Sequence, residues 1–183
     1  MRLARDGRLT GVPFLASPNC DARPAGTSIG LLVVHSISLP PGKYGGDAVE
    51  RLFTNRLDAG AHPGFREIAH MRVSAHFFVR RDGALQQFVS VRDRAWHAGA
   101  SRWRGRERCN DASVGVELEG LEGRAFADAQ YRCLARLLRV LSTALPLRAC
   151  AAHSDIAPAR KRDPGARFHW RRVHAALAHP SIL

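Results

Sequence analysis

The residues Leu31-Leu32-Val33-Val34, with Ile29 just ahead of them, form an apolar run that stops at His35. Apolar residues in succession, rather than at every second position, read as a strand buried on both faces. Such a strand needs cover above and below, so the rest of the chain must supply a sheet around it and elements to flank that sheet. Pro40, Pro41 and Gly42 force a loop soon after. Residues 47–55 then read as a short helix with Asp47 as its N-cap and Val49, Leu52 and Phe53 on one side. Residues 58–72 hold Gly60, Pro63 and Gly64 and read as loop. Residues 75–80 and 85–89 flank Asp82-Gly83, a strong hairpin signal. Residues 113–118 read as a second buried strand, with Val114, Val116 and Leu118 on one face and Glu117 and Glu119 on the other.

The clearest helix spans residues 128–145. Tyr131, Leu134, Leu137, Leu138 and Leu141 recur at helical spacing, Arg132, Arg136 and Arg139 face outward, and Pro146 ends the element. Residues 148–152 read as a brief strand that delivers His153, and residues 170–177 as a closing helix. Residues 1–28, broken by Pro13, Pro18, Pro24 and Gly26, form an irregular lead-in. The pattern predicts an α/β fold: one domain over residues 1–183, a mixed central β-sheet flanked by α-helices.

Composition narrows the class. An apolar fraction of 45% over 183 residues can build a proper core. No apolar run approaches the ~18 residues needed to span a bilayer, so no membrane partner is expected. Residues 1–19 lack the continuous apolar stretch of a signal peptide, and Pro18 and Asn19 separate Cys20 from the apolar residues before it. The expected compartment is therefore the cytoplasm, with Cys20, Cys109, Cys133 and Cys150 as free thiols. The net charge of +12 rests almost wholly on arginine, since Lys43 and Lys161 are the two lysines among 28 basic residues. The arginines are scattered, with no zinc-finger spacing or recognition-helix pattern beside them, so no nucleic-acid partner is expected.

The residues that can carry chemistry sit where predicted strands end. His35 and His153 each close a short apolar strand, the position where ligand sites of α/β proteins gather. Two neutral imidazoles can share one zinc ion at about 2.0–2.1 Å, and a third ligand with an open fourth position makes such a site catalytic. Asp163, in a loop stiffened by Pro158 and Pro164-Gly165, is one candidate third ligand. Asp155 is the other, and spacing alone leaves the two level. Glu117 projects from a strand interior, where a carboxylate needs a partner or a task. It reads either as a general base for an attacking water or as half of a buried ion pair with an arginine. Lys161 stands out in a chain that otherwise uses arginine, and its compact ammonium suits a developing oxyanion, although a surface lysine would look the same. Trp96-His97-Ala98-Gly99 can line a pocket, or Trp96 can simply belong to the core.

Several ordered blocks resemble a known family. They are Leu32-Val33-Val34-His35, Ile37-Ser38-Leu39-Pro40-Pro41-Gly42, Ile68-Ala69-His70, Val73-Ser74-Ala75-His76 and Arg80-Arg81-Asp82-Gly83. Further along come Arg94-Ala95-Trp96-His97-Ala98-Gly99, Gly105-Arg106-Glu107-Arg108-Cys109-Asn110-Asp111, Gly115-Val116-Glu117-Leu118-Glu119-Gly120 and His153-Ser154-Asp155-Ile156-Ala157-Pro158. Over roughly residues 20–178 the chain resembles the AmpD-type 1,6-anhydro-N-acetylmuramyl-L-alanine amidases, part of a group with phage lysozyme-type amidases and peptidoglycan recognition proteins.

The resemblance implies zinc held by His35, His153 and Asp163, which separates Asp163 from Asp155. It implies Glu117 as general base and Lys161 as the group that stabilises the tetrahedral intermediate. The implied reaction is hydrolysis of the amide between the lactyl group of (anhydro-)N-acetylmuramic acid and L-alanine, in cytoplasmic peptidoglycan recycling, by a monomer acting on a small muropeptide. Arg72 and Arg108 become candidate clamps for stem-peptide carboxylates, with Trp96 packing on the substrate. Two positions depart from the family: Ser36 stands where Asn is common, leaving a shorter donor to the substrate, and Ser154 stands where Cys is common. The competing readings are an amidase of broader range that also cuts intact wall, and a non-catalytic peptidoglycan-binding module.

Overall fold

A computed structural model describes residues 1–174. In chain order its strands are β1 Cys20–Ala22, β2 Leu31–Ile37, β3 Phe77–Val79, β4 Leu85–Gln87, β5 Asp93–Ala95, β6 Arg102–Trp103, β7 Arg106–Glu107, β8 Ser113–Glu119 and β9 Ala149–Ala152. Its helices are α1 Ala48–Phe53, α2 Asp128–Ala144, α3 His153–Ile156 and α4 Trp170–His174. Five strands form the central sheet in the order β4-β3-β8-β2-β9. β3, β8, β2 and β9 run parallel and β4 pairs antiparallel at the edge, so the sheet is mixed, as its sequence predicts.

The apolar run that opens the sheet lies at its heart, in β2 between β8 and β9. Leu32 and Val34 of β2 join Val114, Val116 and Leu118 of β8 on one face, which α2 covers with Leu134, Leu137, Leu138 and Leu141. The opposite face divides in two. Leu31 and Val33 pack with Ala149, Ala151 and Ile156, while Phe78 packs with Val49, Leu52 and Phe53 of α1 and with Phe88. Between these apolar patches lies a strip of residues that are not hydrophobic: Ser113, Gly115, Glu117 and Glu119 of β8, beside His35 of β2.

Glu119 is explained locally. Its Oε1 accepts from the Gly45 amide and its Oε2 from the Arg81 amide at 2.9 Å, so it pins the loop after β2 to the β3–β4 hairpin. Gln130, buried at the start of α2, donates to the carbonyls of Val79 and Glu119 and accepts from the Ala127 amide.

Asp47 holds the N-cap position of α1 as expected, but its side chain makes no capping bond; its carboxylate takes the Arg51 guanidinium one turn later at 2.8 Å instead. The lead-in is mostly irregular but not loose. Its residues 20–22 pair antiparallel with β5, where Asp21 lies opposite Arg94 and the two side chains form a bidentate ion pair. The Gln87 side chain accepts from the Leu9 amide and donates to the Gly7 and Val89 carbonyls. Arg23 reaches further, donating to the backbone carbonyls of Val91, Asn110, Asp111 and Ser113. The small β6–β7 hairpin turns through Arg104 and Gly105, both at positive φ. All four cysteines are free thiols. No helix among the described residues is long and apolar enough to cross a membrane. The last three residues of the closing helix expected over 170–177 lie outside the described residues.

Candidate active site

The strands deliver their chemistry to one end of the sheet. His35 is the registered partner of Glu117 on the neighbouring parallel strand, so both side chains leave the sheet on the same face. β9 ends at Ala152, and α3 begins with His153 itself. The loop after α3 returns through the backbone bond from the Ser154 amide to the Asp163 carbonyl, 3.0 Å, which sets Asp163 beside His153. Asp155 is occupied elsewhere: its carboxylate accepts from the Ala152 amide at 2.8 Å and so caps α3.

His35, His153 and Asp163 converge. The two Nδ1 atoms are 2.9 Å apart, and Asp163 Oδ2 lies 3.3 Å from the Nδ1 of His35 and 3.1 Å from that of His153. Ligand atoms on a tetrahedral zinc ion stand about 3.3 Å from one another. Both imidazoles are buried. Burial lowers the pKa of His35 to about 4, outweighing the nearby Asp163 carboxylate. For Asp163 burial works the other way, against ionisation, yet its two imidazole contacts prevail and hold the carboxyl well below the usual range. Near neutral pH this leaves an ionised carboxylate and an uncharged His35 imidazole turned toward one point. His153 Nε2 lies 3.2 Å from the Ala98 carbonyl, which can only accept, so a proton sits there, and in the neutral tautomer that binds a metal Nδ1 presents the lone pair. The donor set fits a divalent metal: two nitrogens, one oxygen and a net negative charge to balance.

A cleft of about 250 Å³ opens beside the three groups. Ser36, Trp96, Glu117, Lys161 and Asp163 line it, together with an apolar wall that includes Leu39, Phe53, Ile68 and Met71. Glu117 Oε2 is enclosed and has no hydrogen-bond partner. Burial, and then the Asp163 charge, push its pKa well above the usual value, against the opposing pull of Lys161. Among the described residues, the ion pair with an arginine that its sequence position also allowed does not form; Glu50 and Glu119 take Arg80 instead. Trp96 is anchored through Asp21, whose carboxyl is held low first by Arg94 and also by the Trp96 side chain.

Arg72 and Arg108 stand outside this lining. Arg72 is exposed between Met71 and Val73, with its guanidinium on the His70 carbonyl, and Arg108 is exposed and paired with Asp111. A larger groove of about 590 Å³ lies away from the cleft, between the lead-in and α2, and holds Arg132 and Arg136 but no histidine.

Two more histidines belong to the surroundings of the site: His97, which lines the cleft as part of the Trp96-His97-Ala98-Gly99 segment, and His76, whose ring lies against it. His97 lies 2.9 Å from His35 through its Nδ1, and His76, fully buried, accepts from the Gly115 amide at 3.0 Å. Their signal was present but faint: Gly115 interrupts an otherwise apolar strand, and a glycine there marks a close approach.

Comparison with known proteins agrees with this geometry. The N-acetylmuramoyl-L-alanine amidase family pattern matches residues 25–166. The chain is 51% identical over 178 residues to the 1,6-anhydro-N-acetylmuramyl-L-alanine amidase AmpD of Escherichia coli K12, covering 96% of this chain and 97% of that one. It superposes on the crystal structure of a selenomethionine AmpD derivative with a TM-score of 0.94 at 48% identity, covering 97% and 100% of the two chains. With the E. coli amidase AmiD in complex with anhydro-N-acetylmuramic acid-L-Ala-D-γ-Glu-L-Lys, the TM-score is 0.62 at 26% identity, covering 84% and 60%. A mixed sheet that gathers two histidines, an aspartate and an unpaired glutamate at one cleft, matched by full-length relatives, leads to one conclusion: the chain belongs to the N-acetylmuramoyl-L-alanine amidase family.

Proposed function

We propose that the protein is a zinc-dependent hydrolase of the amide between the lactyl group of 1,6-anhydro-N-acetylmuramic acid and L-alanine, acting as a monomer on recovered muropeptides in the cytoplasm. The observation that carries this reading is the convergence of His35, His153 and Asp163 beside the unpartnered Glu117 Oε2. The substrate class follows AmpD, whose name specifies the anhydromuramyl-L-alanine bond and whose full length this chain shares.

Zinc held by His35, His153 and Asp163 would supply a Lewis acid that polarises the scissile carbonyl and eases deprotonation of the attacking water. The remaining work belongs to side chains. Glu117 takes the water proton and passes it to the leaving amine of L-alanine. Its raised affinity for a proton arises partly from Asp163, so a cation that compensates Asp163 draws Glu117 back toward the ionised form that a base requires. Lys161 faces the cleft and places an ammonium where the carbonyl oxygen gains charge.

Ser36, directly after a metal-binding histidine, offers a hydroxyl to the substrate, and the Trp96 ring with its apolar neighbours supports the sugar. Arg72 lies between the cleft residues Met71 and Val73, and Arg108 pairs with Asp111; neither lines the cleft. Their assigned task is to hold the stem-peptide carboxylates from the rim.

The test is to incubate zinc-loaded protein with anhydromuramyl-tripeptide and follow release of free tripeptide by mass spectrometry. Release is expected from the wild-type protein and is expected to disappear on chelation. An intact substrate after prolonged incubation with the loaded protein would overturn the reading.

A further inference from the structure

We infer that His97 and Ala98 set the tautomers of both metal-binding imidazoles, with Ser113 fixing the proton on His97, so that these residues position the metal site without themselves holding the metal. The inference rests on the metal reading above and deepens it.

The argument follows one proton at a time. Ser113 Oγ lies 2.6 Å from the Cys109 carbonyl, which can only accept, so the serine hydroxyl donates there. The same Oγ lies 3.1 Å from His97 Nε2 and, its own proton being used, must accept from it. A neutral His97 with its proton on Nε2 has a lone pair on Nδ1. That Nδ1 is 2.9 Å from His35 Nε2, which must therefore carry the His35 proton. The Nδ1 of His35 is then left bare, facing Asp163 and His153. With the His97 ring uncharged, each link has a single allowed direction, because the chain begins at a carbonyl.

The second histidine is set by the next residue along. The Ala98 carbonyl accepts from His153 Nε2 and leaves the His153 Nδ1 bare as well. Thus two consecutive residues, one through a ring and one through its backbone, hold the outer nitrogens of both imidazoles. The segment is itself clamped, since the amides of His97 and Ala98 both donate to Asn110 Oδ1, at 3.2 and 2.8 Å. Arg160 donates to the same Ala98 carbonyl at 2.9 Å.

The sheet is shaped to receive the ring. A Cβ at position 115 would lie 2.4 Å from His97 Cγ and 2.7 Å from its Nδ1, so only a glycine admits the imidazole there. The non-hydrophobic strip of β8 is thereby accounted for residue by residue: Ser113 orients the His97 ring, Gly115 makes space for it, and Glu117 reaches the cleft. Outer hydrogen bonds of this kind typically change metal affinity by about 10–100-fold when removed.

The experiment measures zinc affinity by competition with a chromogenic chelator for the wild-type protein and for His97→Leu, His97→Asn and Ser113→Ala. Long-range ¹H–¹⁵N correlation spectra of the imidazoles locate the His35 proton, and thermal melting of the zinc-free proteins reports the fold. In the wild type the His35 proton is expected on Nε2. His97→Leu is expected to weaken zinc binding by about 10–100-fold and Ser113→Ala by about 10-fold. In His97→Asn the amide oxygen can replace Nδ1 as acceptor, and binding is expected to return to within a few-fold of wild type. A residue that merely fills space would not distinguish Asn from Leu in this way.

Wild-type affinity in both His97→Leu and Ser113→Ala, or a His35 proton on Nδ1 in the wild type, would overturn the inference alone. If His97→Leu fails to fold, Ser113→Ala and the wild-type spectrum decide. A wild-type protein that takes up no zinc would overturn the metal reading and this inference with it.

Discussion

His35 and Glu117 stand side by side in register on adjacent parallel strands, so a buried imidazole and an unpartnered carboxylate enter one cleft from neighbouring positions of the sheet. The separation of their tasks can be measured. Glu117→Gln keeps the shape of the side chain and removes its basicity. It is expected to lower kcat by about 10²–10⁴-fold while the zinc content, by atomic absorption, stays at the wild-type level. Loss of zinc together with activity would make Glu117 part of the metal site.

The two aspartates near His153 should behave differently. Asp163 Oδ2 faces both imidazoles, whereas Asp155 accepts from the Ala152 amide. Asp163→Asn is expected to lose zinc at equilibrium dialysis and with it activity. Asp155→Asn should retain zinc and lose about 1 kcal/mol of stability through a weakened cap. The reverse pattern of zinc retention would exchange their roles.

Buried neutral histidines make the zinc-free fold acid-sensitive. Burial, and then the neighbouring Arg23, lower the His76 pKa from 6.5 to about 3. In the window between these values the unfolded chain binds a proton that the folded chain refuses, so this contribution to stability is complete above 6.5 and is lost as pH falls toward 3. His76→Asn keeps an acceptor for the Gly115 amide and removes the titrating ring. Urea unfolding at about pH 7 and about pH 5 should show wild type losing about 2 kcal/mol more than the variant on acidification. Equal losses would mean that His76 protonates as easily in the fold as outside it.

The uneven legibility of this chain has physical causes. β2, β8 and α2 were readable because burial on a face imposes a period, and the period survives in the sequence as Leu31 to Val34, as Val114-Val116-Leu118 and as the leucine stripe of α2. β1 and β5 were not, because three residues carry no period and their pairing depends on Asp21 meeting Arg94, residues far apart in the chain. Asp47 takes the N-cap position its sequence indicates, yet its carboxylate does no capping, because Arg51 competes for it and wins. At the cleft, His153 follows the end of β9 as expected, whereas β2 runs past His35 to Ile37 because Ser36 and Ile37 still pair with β8, and the placement of Asp163 depends on how a loop returns, which no spacing rule fixes. Resemblance to known amidases supplied that choice. The Trp96-His97-Ala98-Gly99 segment reads as pocket lining, but the part His97 plays lies in which neighbour takes its proton, a property of three-dimensional contact alone.

Gln87 offers a test of how firmly the lead-in is bound. Its buried amide serves Leu9, Gly7 and Val89 at once. Gln87→Leu preserves the volume and abandons three backbone partners. The expected loss is about 2–4 kcal/mol in urea denaturation, with fraying of residues 7–9 visible as faster amide exchange there. Unchanged exchange at Leu9 would show that other contacts suffice.

Arg23 gives the lead-in a wider meaning. The family pattern starts at residue 25, and every cleft residue lies beyond that point. Yet the Arg23 guanidinium is tied to carbonyls at Asn110, Asp111 and Ser113, the turn and strand start from which the His97 ring is held. The edge of the family pattern and the frontier of mechanical integrity therefore fall at different residues. Trimming this enzyme to the span of that pattern would preserve all its chemistry on paper and remove the fastening behind it.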